Sequence, residues 1–450
     1  MLYEAENGKI SIAVTGDAMI SRRMSRFREP DFLGLIELLR GADVTIANLE
    51  FLFHDFEDSW QWAGGGTYTR SDPRNLNELK WMGIDGVLTA NNHSFDYSEG
   101  GLMTTIRHLE EVDLPHAGGG KDIDHARAPG YVDSPNGRVA FMSASSTFSD
   151  ISRAGAGRPD FAGRPGINAL RHVKDHLVTQ DVFDALHKAA RELGYEAWEH
   201  ARQQFGLLGL PEPEDPAKVV EFLENKFRLS DEMKLKTSVH KEDLQGISTW
   251  IKGAKSQSDW TVYGIHCHES GVGGQFHGGS NTETPDFLHE FSRHAIDEGC
   301  DMVAGHGPHF LRGIEIYNGK PIFYSLGNFI FQNETVSWVP PEGYRRAHLD
   351  YPSTPGESFV ARTANDTRGF PADPLFWQSV IAICDYEDKK LRKIRLFPID
   401  LGFGRPMAQR GRPLLAHGEI AEQALTYLRD VSKPYGTDIR IQGDVGVIEL

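Results

Sequence analysis

The segment "DMVAGHGPHF", residues 301–310, decides which fold the sequence predicts. The apolar run at its start predicts a buried strand, and two glycines, a proline and two histidines follow within five residues. Gly305 would let the backbone approach a bound ion, and Pro308 would fix the turn so that His306 and His309 point inward together. The segment therefore predicts a strand end that presents two imidazoles to one site.

Short apolar runs alternate with helix-like segments along much of the chain. Residues 30–41 place four apolar side chains on one helical face. The strand-like runs before the opening segment are residues 10–14, 44–46, 84–88 and 261–265. Because this alternation is typical of βαβ units, the sequence predicts an α/β fold with parallel strands.

Polar side chains follow each of these strands at its carboxyl end. In open α/β sheets the carboxyl ends of the strands form one crevice, so loops that are distant in sequence converge there. Carboxylate and amide oxygens mixed with imidazoles suit Zn, Mn or Fe better than Ca or Mg. The sequence therefore predicts a centre for one or two divalent metal ions, with the candidate residues Asp17, Glu50, Asn92, His93, His266, His268, His306 and His309.

A packing role is open for each candidate taken singly. Asp17 in "GD" could cap a turn, and a lone loop histidine is commonly hydrogen-bonded for packing. His266 and His268 lie two residues apart, which on a strand end puts both on one face. We favour His266 as a ligand and leave His268 as a substrate-contacting or structural group. Four histidines at equivalent strand ends favour a metal site over packing.

The composition restricts the partners and the compartment. With 47 Lys+Arg against 64 Asp+Glu the formal net charge is -17, which disfavours nucleic acid and acidic membrane surfaces as partners. Three widely spaced cysteines form no CxxC pair, so they predict neither a disulfide framework nor a cysteine zinc site. The amino terminus has no signal-peptide pattern, and no apolar stretch is long enough to span a membrane. We expect a soluble, cytoplasmic protein without a membrane anchor.

The length of the chain indicates one large core with additions. Residues 158–238 interrupt the sheet pattern with charged, helix-like patterns and predict a helical insertion. The core would then comprise residues 1–157 and 239–405, and residues 406–450 would form a C-terminal tail that packs on it.

Several segments, in this order and with this spacing, resemble the CapA family, which is named for poly-γ-glutamate capsule synthesis. They are "VTGDAMISRR", "ANLE", "ANNHSFDYSEGG", "AGGG", "GIHCHES" and "DMVAGHGPHFLRGIEIYNGKPIFYSLGNFIF". The match covers residues 8–150 and 240–335. That family is similar to the calcineurin-like metallophosphoesterases, so the resemblance implies a four-layer αββα sandwich with a metal centre at the strand ends.

The resemblance also implies a role for each candidate. Asp17 matches the first metal-binding aspartate, and Glu50 stands where metallophosphoesterases keep a bridging aspartate. Asn92 matches the asparagine ligand, and His93 matches the histidine that protonates a leaving group. The later histidine ligands are matched by His266, His306 and His309.

Three departures from the family pattern affect these roles. Metallophosphoesterases read Asp-x-His in the first motif, whereas this chain has Asp17-Ala18-Met19, so one metal position loses an imidazole. CapA proteins typically read His-Trp-Gly where this chain has His266-Cys267-His268. Membrane-anchored capsule members carry an amino-terminal hydrophobic segment, and its absence here argues against a direct role at the envelope.

The expected activity follows from the chemistry of a bound metal. Such an ion makes hydroxide available near neutral pH and polarises a carbonyl or phosphoryl oxygen. We therefore expect a metal-dependent hydrolase of a γ-glutamyl-like amide or peptide bond, or of a phosphoester bond, with His93, Asp17 and His268 as catalytic residues. A metal-site acid/base enzyme such as a peptide epimerase is the alternative. The second alternative is a catalytically inactive metal-binding module in capsule or polyglutamate metabolism. Met19, which replaces a histidine ligand, would then indicate the loss of catalysis.

The expected partner is a small-molecule or peptide substrate, and a homo-oligomer is left open. Segments 51–62 and 337–346 are expected to wall the crevice. Candidate contacts for a carboxylate or phosphate are Arg22, Arg23, Arg345 and Arg346, although we favour a solvated surface as the explanation of these arginines.

Overall fold

The computed structural model of the protein describes residues 8–62, 66–205, 214–271 and 283–450. They form a mixed α/β structure with several sheets, which agrees with the α/β class predicted from the sequence. No helix within these ranges has the length and apolar character that a membrane span requires.

The strands are β1 Ile10–Met19, β2 Val44–Leu49, β3 Leu52–Phe53, β4 Arg70–Ser71, β5 Gly86–Leu88, β6 His116–Ala117, β7 Gly119–Gly120, β8 Gly130–Ser134, β9 Gly137–Ser145, β10 Gly166–Ile167, β11 His172–Val178, β12 Val219–Phe222, β13 Asn225–Leu229, β14 Lys234–Val239, β15 Trp260–His266, β16 Met302–His306, β17 Leu311–Tyr317, β18 Lys320–Leu326, β19 Asn328–Phe331, β20 Gln378–Glu387, β21 Lys390–Asp400, β22 Leu414–Leu415, β23 Arg440–Gln442 and β24 Val445–Glu449.

The α-helices are α1 Pro30–Gly41, α2 Leu76–Met82, α3 Ser98–Glu111, α4 Ile123–Arg127, α5 Gln180–Glu192, α6 Tyr195–Gln204, α7 Lys241–Lys255, α8 Asp286–Asp297, α9 Pro341–Arg346, α10 Pro355–Thr363 and α11 Gly418–Ser432. Short 3-10 helices lie at Pro73–Asn75, Asp150–Ser152, Asn333–Thr335, Phe370–Ala372, Pro374–Trp377 and Lys433–Tyr435.

The larger sheet has ten strands, in the order β23-β24-β21-β20-β1-β2-β5-β6, with β19 also paired to β1 and β22 to β21. β1, β2, β5 and β6 run parallel to one another, whereas β20 is antiparallel to β1. The predicted strands at residues 10–14, 44–46 and 84–88 are confirmed, and β1 and β2 each extend further than predicted. The polar residues at these strand ends therefore meet at one edge of the sheet.

The second sheet has six strands, in the order β17-β18-β16-β15-β9-β8. Its four central strands β9, β15, β16 and β18 are parallel, so their carboxyl ends also share one edge. β8 and β9 form a hairpin whose turn has the sequence "SPNG", with Ser134 paired to Gly137, and Asn-Gly is a typical hairpin turn pair.

Three hydrophobic clusters hold helices and sheets together. The first packs α1 and α2, through residues such as Phe32 and Leu79, on the ten-stranded sheet. The second joins residues of both sheets, for example Val14 of β1 and Phe323 of β18. The third packs α7 and α8, through residues such as Phe291, on the six-stranded sheet. Burial of each large apolar side chain contributes about 1.5–3 kcal/mol to these contacts.

The prediction that residues 158–238 form a helical insertion is wrong in part. α5 and α6 lie in this range, but β11 to β14 also form a four-stranded sheet, in the order β12-β13-β11-β14. Side chains of β11, with the sequence "HVKDHLV", are mostly half-exposed. Because short strands of this kind contain many charged residues and no apolar run, their sequence resembles a solvated helix face.

The last 45 residues add to the larger sheet. β24 pairs with β21, and α11 contacts β17 of the smaller sheet as well as β20 and β21. The segment of residues 406–450, expected to be a tail on the core, thus contains a helix and strands that contact both sheets. The division of the chain at residues 157, 238 and 405 stays a prediction.

Candidate metal centre

The candidate residues lie where the parallel strands of both sheets end. Asp17 lies inside β1, and Glu50 directly follows β2. His266 and His306 are the last residues of the adjacent parallel strands β15 and β16 and face each other in register. Five of the predicted ligands, Asp17, Glu50, His266, His306 and His309, are fully or almost fully buried. The structure therefore brings residues that are up to 292 positions apart in the sequence into one buried cluster.

Asp17 is positioned by a close approach of two backbones. Its N–H donates to the carbonyl of Gly327, at 2.9 Å, in the turn that leads from β18 to β19. A Cβ atom at Gly16 would lie 1.8 Å from that same carbonyl oxygen, so only glycine fits there. The register of β1 against β19 shifts between Asp17 and Ala18. The regular pairing of β1 is thus interrupted directly after Asp17, the residue whose carboxylate lies at the site.

The Asp17 carboxylate contacts donors on both sides. Oδ1 accepts a hydrogen bond from Nδ2 of Asn48 at 2.8 Å, and Oδ2 accepts one from the N–H of Gly307 at 3.2 Å. Nδ1 of His309 lies 3.2 Å from Oδ2, and Nδ1 of His306 lies 3.7 Å from Oδ1. Burial alone would raise the pKa of Asp17, but His309 first, then His306 and Asn48, lower it. Asp17 is therefore held as a carboxylate.

Glu50 is buried without a donor. No N–H or O–H among the described residues makes a hydrogen bond to either of its carboxyl oxygens. Three imidazole nitrogens surround Oε1 at longer range, with Nε2 of His266 at 3.8 Å, of His309 at 3.9 Å and of His93 at 4.0 Å. Burial, and secondly the charge of Asp17, raise the pKa of Glu50 well above its ordinary value. A buried carboxyl group of this kind requires a cation or a proton.

The histidines of β15 and β16 form a chain of close ring nitrogens. Nδ1 of His266 lies 3.0 Å from Nδ1 of His306, and Nε2 of His266 lies 3.0 Å from Nε2 of His268. Burial lowers the pKa of His306 to about 4. Burial and the neighbouring imidazoles lower the pKa values of His266 and His268 well below the ordinary value. The rings are therefore neutral at pH 7, which is the state in which imidazole ligates metals.

The turn of residues 305–309 has a different physical basis from the predicted one. A Cβ atom at Gly305 would lie 2.5 Å from the carbonyl oxygen of Phe323 in β18, so the neighbouring strand, rather than a bound ion, requires this glycine. His309 has φ 66°, a left-handed conformation that is uncommon for a side chain of this size. Asn328 stabilises it, because its Oδ1 lies 3.0 Å from Nδ1 of His309 and its Nδ2 donates to the carbonyl of His309.

His93 and Asn92 lie on the cavity side of the centre. Nδ1 of His93 is 2.7 Å from Oδ2 of Asp96, which also accepts hydrogen bonds from the backbone and hydroxyl of Thr69. Nε2 of His93 is therefore the nitrogen that faces Glu50. Oδ1 of Asn92 is buried and has no hydrogen-bond partner within the described ranges. It is consequently available as an oxygen ligand, although the structure gives no direct contact between Asn92 and the buried carboxylates.

The donor atoms are close enough for a metal ion. Three groups have one ligand atom from each member within 4.8 Å of the others. They are Asp17 with His266 and His306, Glu50 with His266 and His268, and Asp17 with Glu50 and His309. Nε2 of His306 is buried and has no hydrogen-bond partner in the described part of the chain. Unpartnered carboxyl oxygens next to neutral imidazole nitrogens fit a divalent cation such as Zn, Mn or Fe.

A cavity of about 530 Å³ opens from this centre. Asn92, His93 and His309 line one side of it, and Met19 lies on the same wall. The two segments expected to wall the crevice meet at an edge-to-face contact between Phe56 and Trp338, with ring centroids 5.9 Å apart. Residues that follow β5 and β16, together with the later segment of residues 359–376, therefore line the described cavity beside the centre.

The family model for the bacterial capsule synthesis protein PGA_cap matches residues 11–333, which contain every candidate ligand. The chain belongs to the PGA_cap family. Its similarity to CapA proteins, first inferred from short motifs, is confirmed by relatives of that name. The PGA_cap match ends before the loop of residues 338–374, which also lines the cavity.

Relatives of this PGA_cap chain differ in how much they share with it. An uncharacterised protein of Sinorhizobium fredii, y4sH, is 33% identical over 98% of this chain and 93% of its own length. The PGA biosynthesis protein CapA of Bacillus subtilis is 22% identical over 72% of this chain and 63% of its own length. The capsule biosynthesis protein CapA of Bacillus anthracis is likewise 22% identical over 72% of this chain.

Three positioning residues of this PGA_cap site were missed from the sequence. Asn48 holds Asp17, Asp96 holds His93, and Asn328 holds His309. Asp96 could have been found, because it lies three residues after His93 in a segment already quoted as a motif. Asn328 in "SLGNF" carries no charge and matched a plain strand end, so nothing in its local sequence indicated the contact with His309.

Proposed function

We propose that this protein is a metal-dependent hydrolase of the PGA_cap family that acts on a γ-glutamyl-like amide or peptide bond, with a phosphoester bond as the other substrate class. The observation that carries the proposal is Glu50, a fully buried carboxyl group without a hydrogen-bond donor among the described residues and with three imidazole nitrogens within 4.0 Å. Such a group needs either a proton or a cation, and the surrounding imidazole nitrogens, together with the carboxylate of Asp17, favour a cation.

The proposal extends to the fold. The successive clusters of α1 and α2 on one sheet, sheet on sheet, and α7 and α8 on the other sheet support a four-layer αββα arrangement of the metallo-dependent phosphatase type. Such an arrangement would set the carboxyl edges of both parallel sheet regions beside one another.

We assign the metal-holding role to Asp17, Glu50, Asn92, His266, His306 and His309. One or two ions of Mn, Zn or Fe would supply a Lewis acid and activated water. His268, which lies 3.0 Å from His266, would either complete the ligand set at Glu50 or orient His266.

His93 is assigned the proton transfer. The short contact with Asp96 holds its Nδ1 proton on the carboxylate side, so Nε2 exchanges a proton with the cavity. A general acid at this place would protonate the departing nitrogen or oxygen. Asp96 does not face the cavity and acts through the orientation of the ring.

The amide class is placed first because relatives of this chain are named for capsule and PGA biosynthesis. The substrate would accordingly be a small molecule or peptide. Both bond classes use the same attacking group, and the two are separated by assaying a γ-glutamyl anilide beside an aryl phosphate.

The test is elemental analysis of protein purified without chelator. The expected result is about one to two equivalents of Mn, Fe or Zn per chain, lost in His306→Ala. His125→Ala is the matched control, because His125 is exposed and its Nδ1 lies 2.7 Å from Oδ1 of Asp122, outside the candidate centre. Protein that binds no metal under any loading condition, or a His306→Ala variant that retains its metal, would overturn the proposal.

A further inference from the structure

The cavity beside the metal centre has a basic end. Arg362 at the end of α10 and Arg368 in the loop that follows line the same cavity as His93 and His309. Both arginines lie beyond residue 333, where the family match ends. The two arginines that line this cavity are therefore supplied by residues beyond the region that the family model matches.

These two arginines lack carboxylate partners. Nη1 of Arg362 donates to the hydroxyl of Thr67 at 3.0 Å, and Nε of Arg368 donates to the carbonyl of Arg362 at 2.9 Å. Among the described residues, no carboxylate oxygen lies within the 4.0 Å that defines an ion pair with either guanidinium. Arg410, by contrast, pairs with both Glu334 and Asp366.

The acidic residues that line the same cavity, Glu334 and Asp373, accept hydrogen bonds from groups other than these two arginines. Both oxygens of Glu334 accept hydrogen bonds from Arg410, at 2.6 and 2.8 Å. Oδ1 of Asp373 accepts one from the backbone N–H of Leu375, at 3.0 Å. Glu334 is thus paired with another arginine, and Asp373 caps the short helix that follows it. In a protein with a formal net charge of -17, two guanidinium groups without an ion-pair partner among the described residues therefore line a concave site.

A second cavity, of about 410 Å³, continues from this end. It shares Thr67, Phe359, Arg362 and Arg368 with the first one, and Arg346 of α9 also lines it. Burial, and secondly the charge of Arg346, lower the pKa of Arg362, which indicates that the two guanidinium groups lie close together. Of the arginines considered from the sequence, Arg346 therefore borders a cavity, whereas Arg22 contacts the carbonyl of Ala408.

We propose that Arg362 and Arg368 form a subsite for an anionic group of the substrate, a carboxylate or a phosphate, at a distance from the bond that reacts. Guanidinium groups bind such oxygens by charge-assisted hydrogen bonds. The rings of Phe370 and Phe376 line the cavity between this end and His309, so they suit an aliphatic stretch that joins the two parts of the substrate. The placement of the reacting bond near His93 and His309 rests on the proposed function, whereas the binding of an anion at Arg362 and Arg368 does not.

The subsite is tested by calorimetric titration of the full-length protein, as purified and after chelator treatment, with glutarate and with inorganic phosphate. We expect Arg362→Gln to weaken binding of the preferred anion at least about tenfold in both preparations. Arg362→Lys keeps the charge and should lose less than Arg362→Gln. Arg429→Gln, on the surface of α11, removes one charge elsewhere and should change the affinity less than about twofold.

The two anions distinguish the chemistry that the subsite accepts. Tighter binding of glutarate would assign it to carboxylates, and tighter binding of phosphate would assign it to phosphates. Binding of both anions to Arg362→Gln at the wild-type affinity, or no binding to wild-type protein up to about 10 mM, would overturn the inference. Because chelated protein is included, absence of a metal would contradict the proposed function alone. A thermal melt of each variant shows that it is folded.

Discussion

Nδ1 of His93 lies 2.7 Å from Oδ2 of Asp96, and this contact determines which nitrogen of the imidazole faces the metal centre. The same carboxylate oxygen accepts two hydrogen bonds from Thr69, so Asp96 is fixed in turn by the segment before α2. Nε2 of His93, to which we assign proton transfer, lies 4.0 Å from Oε1 of Glu50.

Asp96→Asn should lower kcat for the best substrate by about 10- to 100-fold while metal content stays the same. The amide can rotate its NH₂ toward His93 and so disturb the tautomer that the carboxylate selects. The pH–rate profile should shift as well, because Asp96 acts through the ring it orients. His93→Ala should lose at least as much, and the double variant should lose no more than His93→Ala alone.

Thr69→Val is the matched control for Asp96→Asn. It removes the 3.1 Å hydrogen bond from the hydroxyl to the same oxygen but keeps the backbone one. A loss of kcat as large as in Asp96→Asn would mean that loop packing, rather than orientation of His93, is being measured. Full turnover in Asp96→Asn would exclude the assigned role.

Met19→His should increase the metal content by about one equivalent per chain. Met19 is buried at the end of β1 and lines the cavity beside His93 and His309. Protein ligands of Zn are Cys, His and Asp/Glu side chains, and imidazole also suits Fe, so a histidine at this position offers a better ligand than the neutral thioether of Met19. Elemental analysis of both proteins after loading with Mn, and separately with Zn, measures the change.

Met19→Leu is the control for the change in shape, and it should leave the metal content as in wild type. If wild-type protein already binds two equivalents, or if Met19→His binds no more than wild type, Met19 is not the position that limits metal binding. The substitution adds a polar ring to a packed wall, so a thermal melt accompanies the analysis.

The sequence was most informative where local pattern and topology coincide. Apolar runs such as 10–14 and 44–46 belong to central parallel strands, which are buried on both faces and carry a strong signal. The side chains that follow such strands must meet at one edge, so the proximity of Asp17, Glu50 and His266 could be predicted without knowing any contact.

The sequence was least informative where a residue acts only through a distant partner. Asn48 and Asn328 are uncharged, and their function lies in holding Asp17 and His309 across separate strands. The strands of residues 172–239 were not predicted, for a different reason. Their charged and apolar residues follow no dominant period, so the local sequence did not indicate strands. Gly305 was correctly chosen as a close approach, but the backbone that it approaches belongs to β18.

We expect the free energy of unfolding to decrease in mild acid because His54 is buried in its neutral form. It is a buried residue of the segment 51–62, its Nδ1 accepts a hydrogen bond from the N–H of Phe56, and its ring lies 4.3 Å from that of Tyr97. Burial, and secondly the charge of Arg70, lower the pKa of His54 from 6.5 to about 4. Protonation would place a hydrogen on Nδ1 and oppose the Phe56 N–H, which agrees in direction with the lowered pKa.

The sign of the effect follows from this lowered pKa. In the unfolded chain His54 binds a proton below pH 6.5, whereas in the folded protein it does so only near pH 4, so stability is complete above 6.5 and falls as the pH decreases between these values. Between pH 7.5 and 5 this residue should account for a loss of about 2 kcal/mol in the free energy of unfolding. Urea unfolding of His54→Asn at both pH values should show a correspondingly smaller loss than wild type, whereas His125→Asn, which changes an exposed histidine, should follow wild type. Equal losses in His54→Asn and wild type would show that His54 titrates alike in the folded and unfolded chain.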